Sequence, residues 1–352
     1  MEQEIADLPV DRTSLPAASR ARAADVALRA GVSESAVSRT FRGGSVSAPV
    51  RARVLAAARE LGYRPNAMAQ ALLTRRSNVI AILMTTNTNS HFPEVLSELS
   101  HAADAHELRV MLFTIDDPAL VPEAVDQILS YQVDAVLSLT EVPPAEARLL
   151  AQHDVELLLY NHSSAAYPVD LVSCDHRAAG RALGRRLLEL GHRSFAFIEG
   201  PQMSVLAADR AGGVVDVLEE AGIGRKDVPV AIGDFGYQSG RDGARALLGG
   251  RRPFTALVCV SDMMAIGAID EATSRKIDVP GALSVASFDG VPAGRWERYK
   301  LTTMRQPLPQ LARAAMETIK RKIAEPSRAV EIRLLTCVLD EGSSTAAVYG
   351  PE

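Results

Sequence analysis

The chain has 352 residues, 47% of them hydrophobic and 23% charged, with a single Trp and a formal net charge of −5. That length exceeds one small domain and builds a large core, and the composition is that of an ordinary globular protein. No run of about 18 apolar residues occurs, which excludes a membrane-spanning helix, and the acidic start Met1–Asp7 lacks the apolar stretch of a signal peptide. The net charge conceals an asymmetry. Residues 20–76 hold eleven Arg, no Lys and three acids (Asp25, Glu34, Glu60), giving +8 and leaving −13 to everything else. A basic N-terminal module on an acidic body suits a protein that puts one face on phosphate and keeps the rest away from it.

Residues 1–19 mix Pro, Ala, Ser and acids without period and read as a flexible tail. A three-helix module follows over 20–62. Asp25-Val26-Ala27-Leu28-Arg29-Ala30 forms a short helix ended by Gly31, which takes positive φ at no steric cost. Ser33 caps a second helix that buries Ala36, Val37 and Phe41 and turns Glu34, Ser35, Ser38 and Arg39 outward. This turn and second helix have the pattern of a helix-turn-helix, whose second helix enters the major groove with its N-terminal side chains at base edges. A third helix opens at Ser47-Ala48-Pro49, carries Val50, Val54, Leu55, Ala58 and Leu61 as an apolar stripe, and closes at Gly62.

Residues 63–77 begin Tyr63-Arg64-Pro65-Asn66-Ala67-Met68-Ala69-Gln70-Ala71-Leu72-Leu73, a helix-favouring run started by Pro65. A helix this short is marginal in water, so the segment is either a plain linker or a helix that forms only against a partner.

From residue 78 the pattern changes to strands alternating with helices. Strands are predicted over Val79–Met84, Arg109–Ile115, Ala135–Leu139, Val155–Tyr160, Ser194–Ile198, Ala256–Val260 and Ser284–Phe288. Helices are predicted over Pro93–His106, Pro122–Ser130, Arg177–Leu190, Val205–Ala221, Ser239–Leu248 and Asp262–Ser274. The βαβ order implies an α/β body over 78–340 with parallel sheets. A break near 160–175 suggests two lobes, with a ligand cleft beyond the carboxyl ends of their strands. Residues 341–352 are read as a C-terminal tail without an apolar heptad, which argues against a C-terminal coiled coil.

Enzyme motifs are missing: there is no GxGxxG, phosphate loop, GxSxG or HExxH, and Asp116-Asp117 reads as a turn before Pro118. The seven His stand at no metal-ligand spacing, and neither cofactor nor metal is expected. Cys174, Cys259 and Cys337, far apart among apolar neighbours, read as buried thiols of a reducing cytoplasm.

In order along the chain, several motifs resemble the LacI/GalR family of bacterial transcription regulators. They are Asp25-Val26-Ala27 with Gly31-Val32-Ser33, Val37-Ser38-Arg39, Gly62-Tyr63-Arg64-Pro65-Asn66-Ala67, Leu190-Gly191-His192-Arg193, Ser261-Asp262-Met263-Met264-Ala265-Ile266-Gly267 and Leu301-Thr302-Thr303. The resemblance runs over about residues 20–340. It implies an all-α head, a hinge helix and a two-lobed core like the periplasmic binding proteins. It also implies a cytoplasmic homodimer, bound to a near-palindromic double-stranded operator and answering to a small effector, often a sugar or a purine.

Under that resemblance Glu34, Ser35 and Arg39 read bases, and Arg39 offers a guanine the two-pronged hydrogen bond that specifies it. Ser33, Ser38, Ser47, Tyr63 and Asn66 hold phosphates, Leu72 wedges into the minor groove, and Ala69 lies one turn before it. In the core, Arg210 and Asp289 match effector-contacting positions, as do Asn161 and Ser261, with His91, Phe92 and Phe235 as walls. The sequence departs from the family pattern at Arg22 (for a capping Thr), Ala36 (for Thr) and Arg42 (for Asn). Asn161 stands where many members carry Asp, and the loop Gly43–Val46 is one residue short. The favoured effector is a sugar or related polyol; release and corepression use the same parts. A corepressor-type regulator responsive to a purine or another metabolite is the alternative, and a solute-binding protein or sugar-modifying enzyme stands further off.

Overall fold

The computed structural model describes residues 21–41, 44–64, 76–86, 91–162, 167–250 and 254–348. The chain separates into one unit ending at Ser77 and a second beginning at Asn78. The predicted 1–19 tail and the body of the hinge helix, with Asn66, Ala69 and Leu72, lie outside the described residues, as does Arg42.

The first unit holds α1 (Ala23–Ala30), α2 (Glu34–Phe41) and α3 (Ala48–Glu60). At the start of α1 the backbone N–H of Arg22 donates to the Asp25 carboxylate at 2.7 Å. An acid in the first turn thereby closes a helix end that has no Ser or Thr cap. Gly31 ends α1 at φ 63°. The core is Val26, Ala27 and Ala30 of α1, Val37 of α2, and Val54, Ala57 and Ala58 of α3. The predicted apolar faces are corrected in detail. Thr40 is buried in α2 while Phe41 is half-buried, because the Thr40 hydroxyl donates back to the Ala36 carbonyl at 2.9 Å and leaves no polar group unmet. Leu55 and Leu61 are exposed, since the contact of α3 is the narrow stripe 54, 57 and 58, one turn apart, and both leucines lie off it.

The second unit is built on two six-stranded sheets. The first has β1 (Val79–Thr85), β2 (Arg109–Ile115), β3 (Ala135–Ser138), β4 (Glu156–Tyr160), β5 (Asp170–Cys174) and a late strand β11 (Ile332–Leu335) in the order β11-β5-β4-β3-β1-β2, all parallel. The second has β6 (Phe195–Glu199), β7 (Val230–Ile232), β8 (Ala256–Cys259), β9 (Ser284–Asp289), β10 (Thr302–Arg305) and β12 (Val338–Asp340) in the order β12-β10-β9-β8-β6-β7. Only the β10–β12 pair among these is antiparallel.

Helices α4 (Phe92–Ala105), α5 (Val121–Leu129) and α6 (Pro144–Gln152) cover the first sheet, and α7 (His176–Glu189), α8 (Val205–Glu220), α9 (Tyr237–Leu248) and α10 (Asp262–Ser274) the second. Strand β1 shows why no alternation is visible in the sequence: Ala81 and Leu83 pack with Val121, Val125 and Ile128, while Ile80 and Ile82 pack with Val95 and Leu99 on the opposite face. Both faces are covered, so every position from Val79 to Met84 is apolar.

The chain passes between the lobes three times. It leaves the first sheet at Cys174 and enters α7 at His176. After β10 it returns through Gln306 into α11 (Leu308–Ala324), which packs on α4, β4 and β5. It then forms β11 and crosses again at Thr336-Cys337 to β12. Residues 341–348 do not form a separate tail. Ser344 is buried and its hydroxyl donates to the Val285 carbonyl at 2.6 Å, and Val348 N–H donates to the Leu190 carbonyl at 2.8 Å.

The second lobe draws its helices together through glycine. A Cβ on Gly213 of α8 would overlap the Arg177 carbonyl oxygen of α7, and one on Gly267 of α10 would overlap the Tyr237 carbonyl of α9. Backbone meets backbone at both crossings, so no rotamer change relieves the clash. Gly213→Ala is therefore expected to lower stability by about 1–3 kcal/mol or more, against the gain of about 1 kcal/mol that Gly→Ala brings on an open helix face. Denaturant titration reads the difference; an unchanged or raised midpoint would show that the two helices can part.

Candidate functional site

In the head, Gly31 and Ser33 set the angle between α1 and α2, and Ser33 Oγ accepts from Ala36 N–H at 3.3 Å as the cap of α2. The same oxygen meets Ser35 Oγ at 2.9 Å. Glu34, Ser35 and Arg39 are exposed on the outer face of α2, and Ser38 is partly exposed beside them. Arg39 and Glu34 make no side-chain hydrogen bond among the described residues. By contrast Arg51 is committed to the fold, donating to the carbonyls of Thr40 and Gly44 at 3.2 Å each. Ser47 stands at the N-cap of α3 with its hydroxyl making no capping bond. Tyr63 is half-buried with its ring centroid 5.7 Å from that of Phe41, so its ring belongs to the head's core and only its edge is presented. The face left open is the N-terminal end of a helix, two serines and an unpaired guanidinium, which suits phosphate and base edges.

In the body, a cavity of about 420 Å³ opens between the two lobes. Its walls come from the carboxyl ends of strands: Thr85 from β1, Thr140 after β3, Tyr160 from β4 and Asn161 just after it, Asp234 and Phe235 after β7, Asp289 from β9 and Gln306 after β10. Open α/β sheets place ligands there. His91 and Phe92 at the start of α4, with Ser204, Leu206 and Arg210 of the second lobe, complete much of the rest.

The centre of the site is a buried ion pair. Arg210 NH2 meets Asp289 Oδ1 at 2.7 Å, and both side chains are 2% exposed. Arg210 also donates to the Val260 carbonyl at 2.7 Å and to His176 Nδ1 at 3.4 Å, and its guanidinium lies 5.3 Å from the Phe288 ring centroid. Burial and the Arg210 charge hold His176 well below its ordinary pKa, so the imidazole is neutral and accepts. Gln306 Nε2 donates to the same Asp289 oxygen at 2.8 Å, which leaves Asp289 Oδ2 buried with no partner among the described residues. The Tyr160 hydroxyl is likewise unmet, and burial raises its pKa. Asn161 is not a free recognition group. Its Nδ2 donates to Gln306 Oε1 at 2.6 Å and its Oδ1 accepts from Cys174 N–H at 3.0 Å, so it braces Gln306 across two of the crossovers. Asp234 is kept ionised by the Ser239 hydroxyl at 2.5 Å.

Of the seven predicted effector residues, the cavity brings together His91, Phe92, Asn161, Arg210, Phe235 and Asp289. Ser261 does not line it. Fully buried, it caps α10 and donates to the Phe235 carbonyl at 3.0 Å. Sequence reasoning missed Gln306, Tyr160, Thr140, Asp234 and Ser204, all isolated polar residues. The signal available for most was their place just past a strand's last residue. The three cysteines are buried and free, and among the described residues no helix is long and apolar enough to cross a membrane.

A helix-turn-helix head followed by a two-lobed body with a polar cavity at its strand ends has the organisation of a DNA-binding regulator with a ligand-sized cleft. Residues 24–66 match the family of bacterial regulatory proteins, lacI family, and residues 185–345 match the periplasmic binding protein-like domain. The chain is 33% identical over 329 residues to an HTH-type transcriptional regulator in the aml 5′ region of Streptomyces limosus, covering 90% of this chain and 92% of that one. It is 29% identical over 327 residues to the HTH-type transcriptional repressor CytR of Escherichia coli K12, covering 92% and 96%. Its fold matches the Lac repressor dimer bound to operator and the anti-inducer ONPF with a TM-score of 0.83 at 25% identity, over 94% of this chain and 100% of that one. The chain belongs to the lacI family of bacterial transcriptional regulators.

Proposed function

We propose that this regulator is a cytoplasmic homodimeric repressor whose two heads read the halves of a near-palindromic operator, and that a neutral sugar or related polyol between the lobes resets its operator affinity. The observation that carries the effector class is the Arg210–Asp289 pair. Arg210 is the one guanidinium among the described cavity walls and is already neutralised by Asp289, while Asp234 adds a second carboxylate. Among the described walls an anionic ligand finds no lysine and no second guanidinium. A hydroxyl-rich ligand finds an unmet carboxylate oxygen, a tyrosine hydroxyl, a glutamine and two phenyl faces. Glu34, Ser35 and Arg39 read bases, and Ser33, Ser38, Ser47 and the edge of Tyr63 position the backbone; Arg42, Asn66, Ala69 and Leu72 complete that interface. Because operator and effector bind one protein, each shifts the affinity of the other by the same factor.

The test is selection of bound sequences from random duplex DNA, with and without ribose, glucose, sucrose or cellobiose, followed by titration at several salt concentrations. The expected result is a palindromic site, a steep salt dependence and a shift in affinity with one sugar. Binding without sequence preference, or one indifferent to every neutral sugar and moved only by phosphorylated ones, would refute the proposal.

A further inference from the structure

Ser261 and Asp262 open α10, are wholly buried, and do not line the cavity, yet Ser261 bonds to Phe235, which does, and Asp262 to the residues on either side of Asp289, which also does. Phe235 and Asp289 both sit at positive φ, 70° and 120°, where side-chain-bearing residues persist only when their surroundings over-determine them. The Asp289 side chain is held by Arg210 and Gln306, and the backbone beside both residues is bonded to this dipeptide. Ser261 Oγ donates to the Phe235 carbonyl at 3.0 Å while accepting from Met264 N–H at 3.3 Å. Asp262 Oδ2 accepts from the backbone N–H groups of Gly290 and Val291 at 2.8 Å each, closing the turn directly after Asp289. Its Oδ1 accepts from Ser287 Oγ at 2.5 Å and Thr303 Oγ1 at 2.7 Å, one on the strand that ends in Asp289 and one on the strand before Gln306.

We propose that Ser261-Asp262 is the positioning element of the effector cleft: without touching ligand, it holds Phe235, in the loop after β7, and Asp289, at the end of β9, in the backbone conformations that aim them into the cavity. The inference rests on the reading of that cavity as the effector site. All four groups that reach Asp262 are donors, which calls for an acceptor-only side chain. Two of the four are hydroxyls that can reverse, so an asparagine keeps its oxygen on the two backbone N–H groups, whereas alanine leaves all four unmet. Burial and the neighbouring Asp289 carboxylate push Asp262 up to about 7.

The test uses full-length protein and isothermal titration with ribose, glucose, sucrose and cellobiose. Asp262→Ala is expected to weaken the bound sugar about tenfold or more, with Asp262→Asn restoring most of the loss. Added to Asp289→Ala, Asp262→Ala should change affinity by no more than about twofold, because it acts through Asp289, whereas Ser261→Ala, acting through Phe235, should cost the same factor in either background. An unchanged affinity in Asp262→Ala, or an equal loss with and without Asp289, would overturn the proposal and leave Asp262 a merely stabilising residue. If Asp289→Ala itself binds sugar normally, or no sugar binds, it is the reading of the cavity that fails. The crystal structure of Asp262→Ala then decides the positioning claim: Asp289 leaving positive φ supports it, and an unmoved turn refutes it.

Discussion

Arg210→Ala is expected to destabilise the body by about 3–5 kcal/mol and to abolish the response to effector. The substitution strands three groups at once: the Asp289 carboxylate, the Val260 carbonyl and the His176 imidazole, all of which now meet a buried guanidinium. The size of the loss comes from the uncompensated buried carboxylate and not from the strength of the pair, since taking two charges out of water cancels most of their attraction. Replacing both partners separates these contributions. Arg210→Met with Asp289→Leu removes the charges together, so most of the stability is expected to return while the effector response stays lost. Equilibrium unfolding followed through the fluorescence of Trp296, the single tryptophan, measures the first quantity, and sugar titration the second. An Arg210→Ala protein as stable as the parent would show that the pair is solvated, and sugar binding in the doubly apolar variant would remove the pair from recognition.

Arg39→Ala is expected to lower affinity for the selected operator by about 1–3 kcal/mol and to relax the preference at one base pair in each half-site. Arg39 is exposed on the outer face of α2 and makes no side-chain hydrogen bond among the described residues, so its loss costs the free head little. Arg39→Lys sharpens the test. It keeps the charge and the salt dependence but not the planar fork, so specificity falls while non-specific affinity holds. Two neighbours calibrate the result. Arg51→Ala should lower the melting temperature of the head, because Arg51 sews the loop before α3 to α2. Arg29→Ala should do little, since its pair with Glu60 is more than half exposed. A uniform loss on every DNA sequence in Arg39→Ala would make Arg39 a phosphate contact.

Much of this was legible from residues alone, and the places where it was not have physical reasons. The head was readable because Gly31, Ser33 and the spacing of Val26, Ala27, Ala36 and Val37 are local signals. The long buried strands declared themselves as unbroken apolar runs. Five strands were not read: β7, β11 and β12 are short edge strands with exposed Ile232, Ile332, Leu334 and Val338, and the interior β5 and β10 are short and carry polar Asp170, Ser173, Thr302, Thr303 and Arg305 in place of an apolar run. In the site, Arg210 and Asp289 could be named from the family resemblance, but their mutual neutralisation is a tertiary fact. Ser261 was assigned to the ligand and is in fact a cap. A serine one residue before a helix satisfies both descriptions in sequence, and only its burial separates them. Gln306 was missed because nothing local distinguishes a glutamine that ends a crossover from one on the surface.

The threefold passage of the chain between the lobes also governs how the body is made. The first lobe needs α11 to cover α4 and β11 to complete its sheet, and both come from the last fifth of the sequence. A ribosome that has delivered every earlier strand of that lobe still holds it with one apolar side open. Neither lobe can finish before the other is nearly translated, so the two halves of the cleft mature as one cooperative event. Chains that stop short of residue 308 should accumulate as protease-sensitive, aggregation-prone fragments, never as a working half.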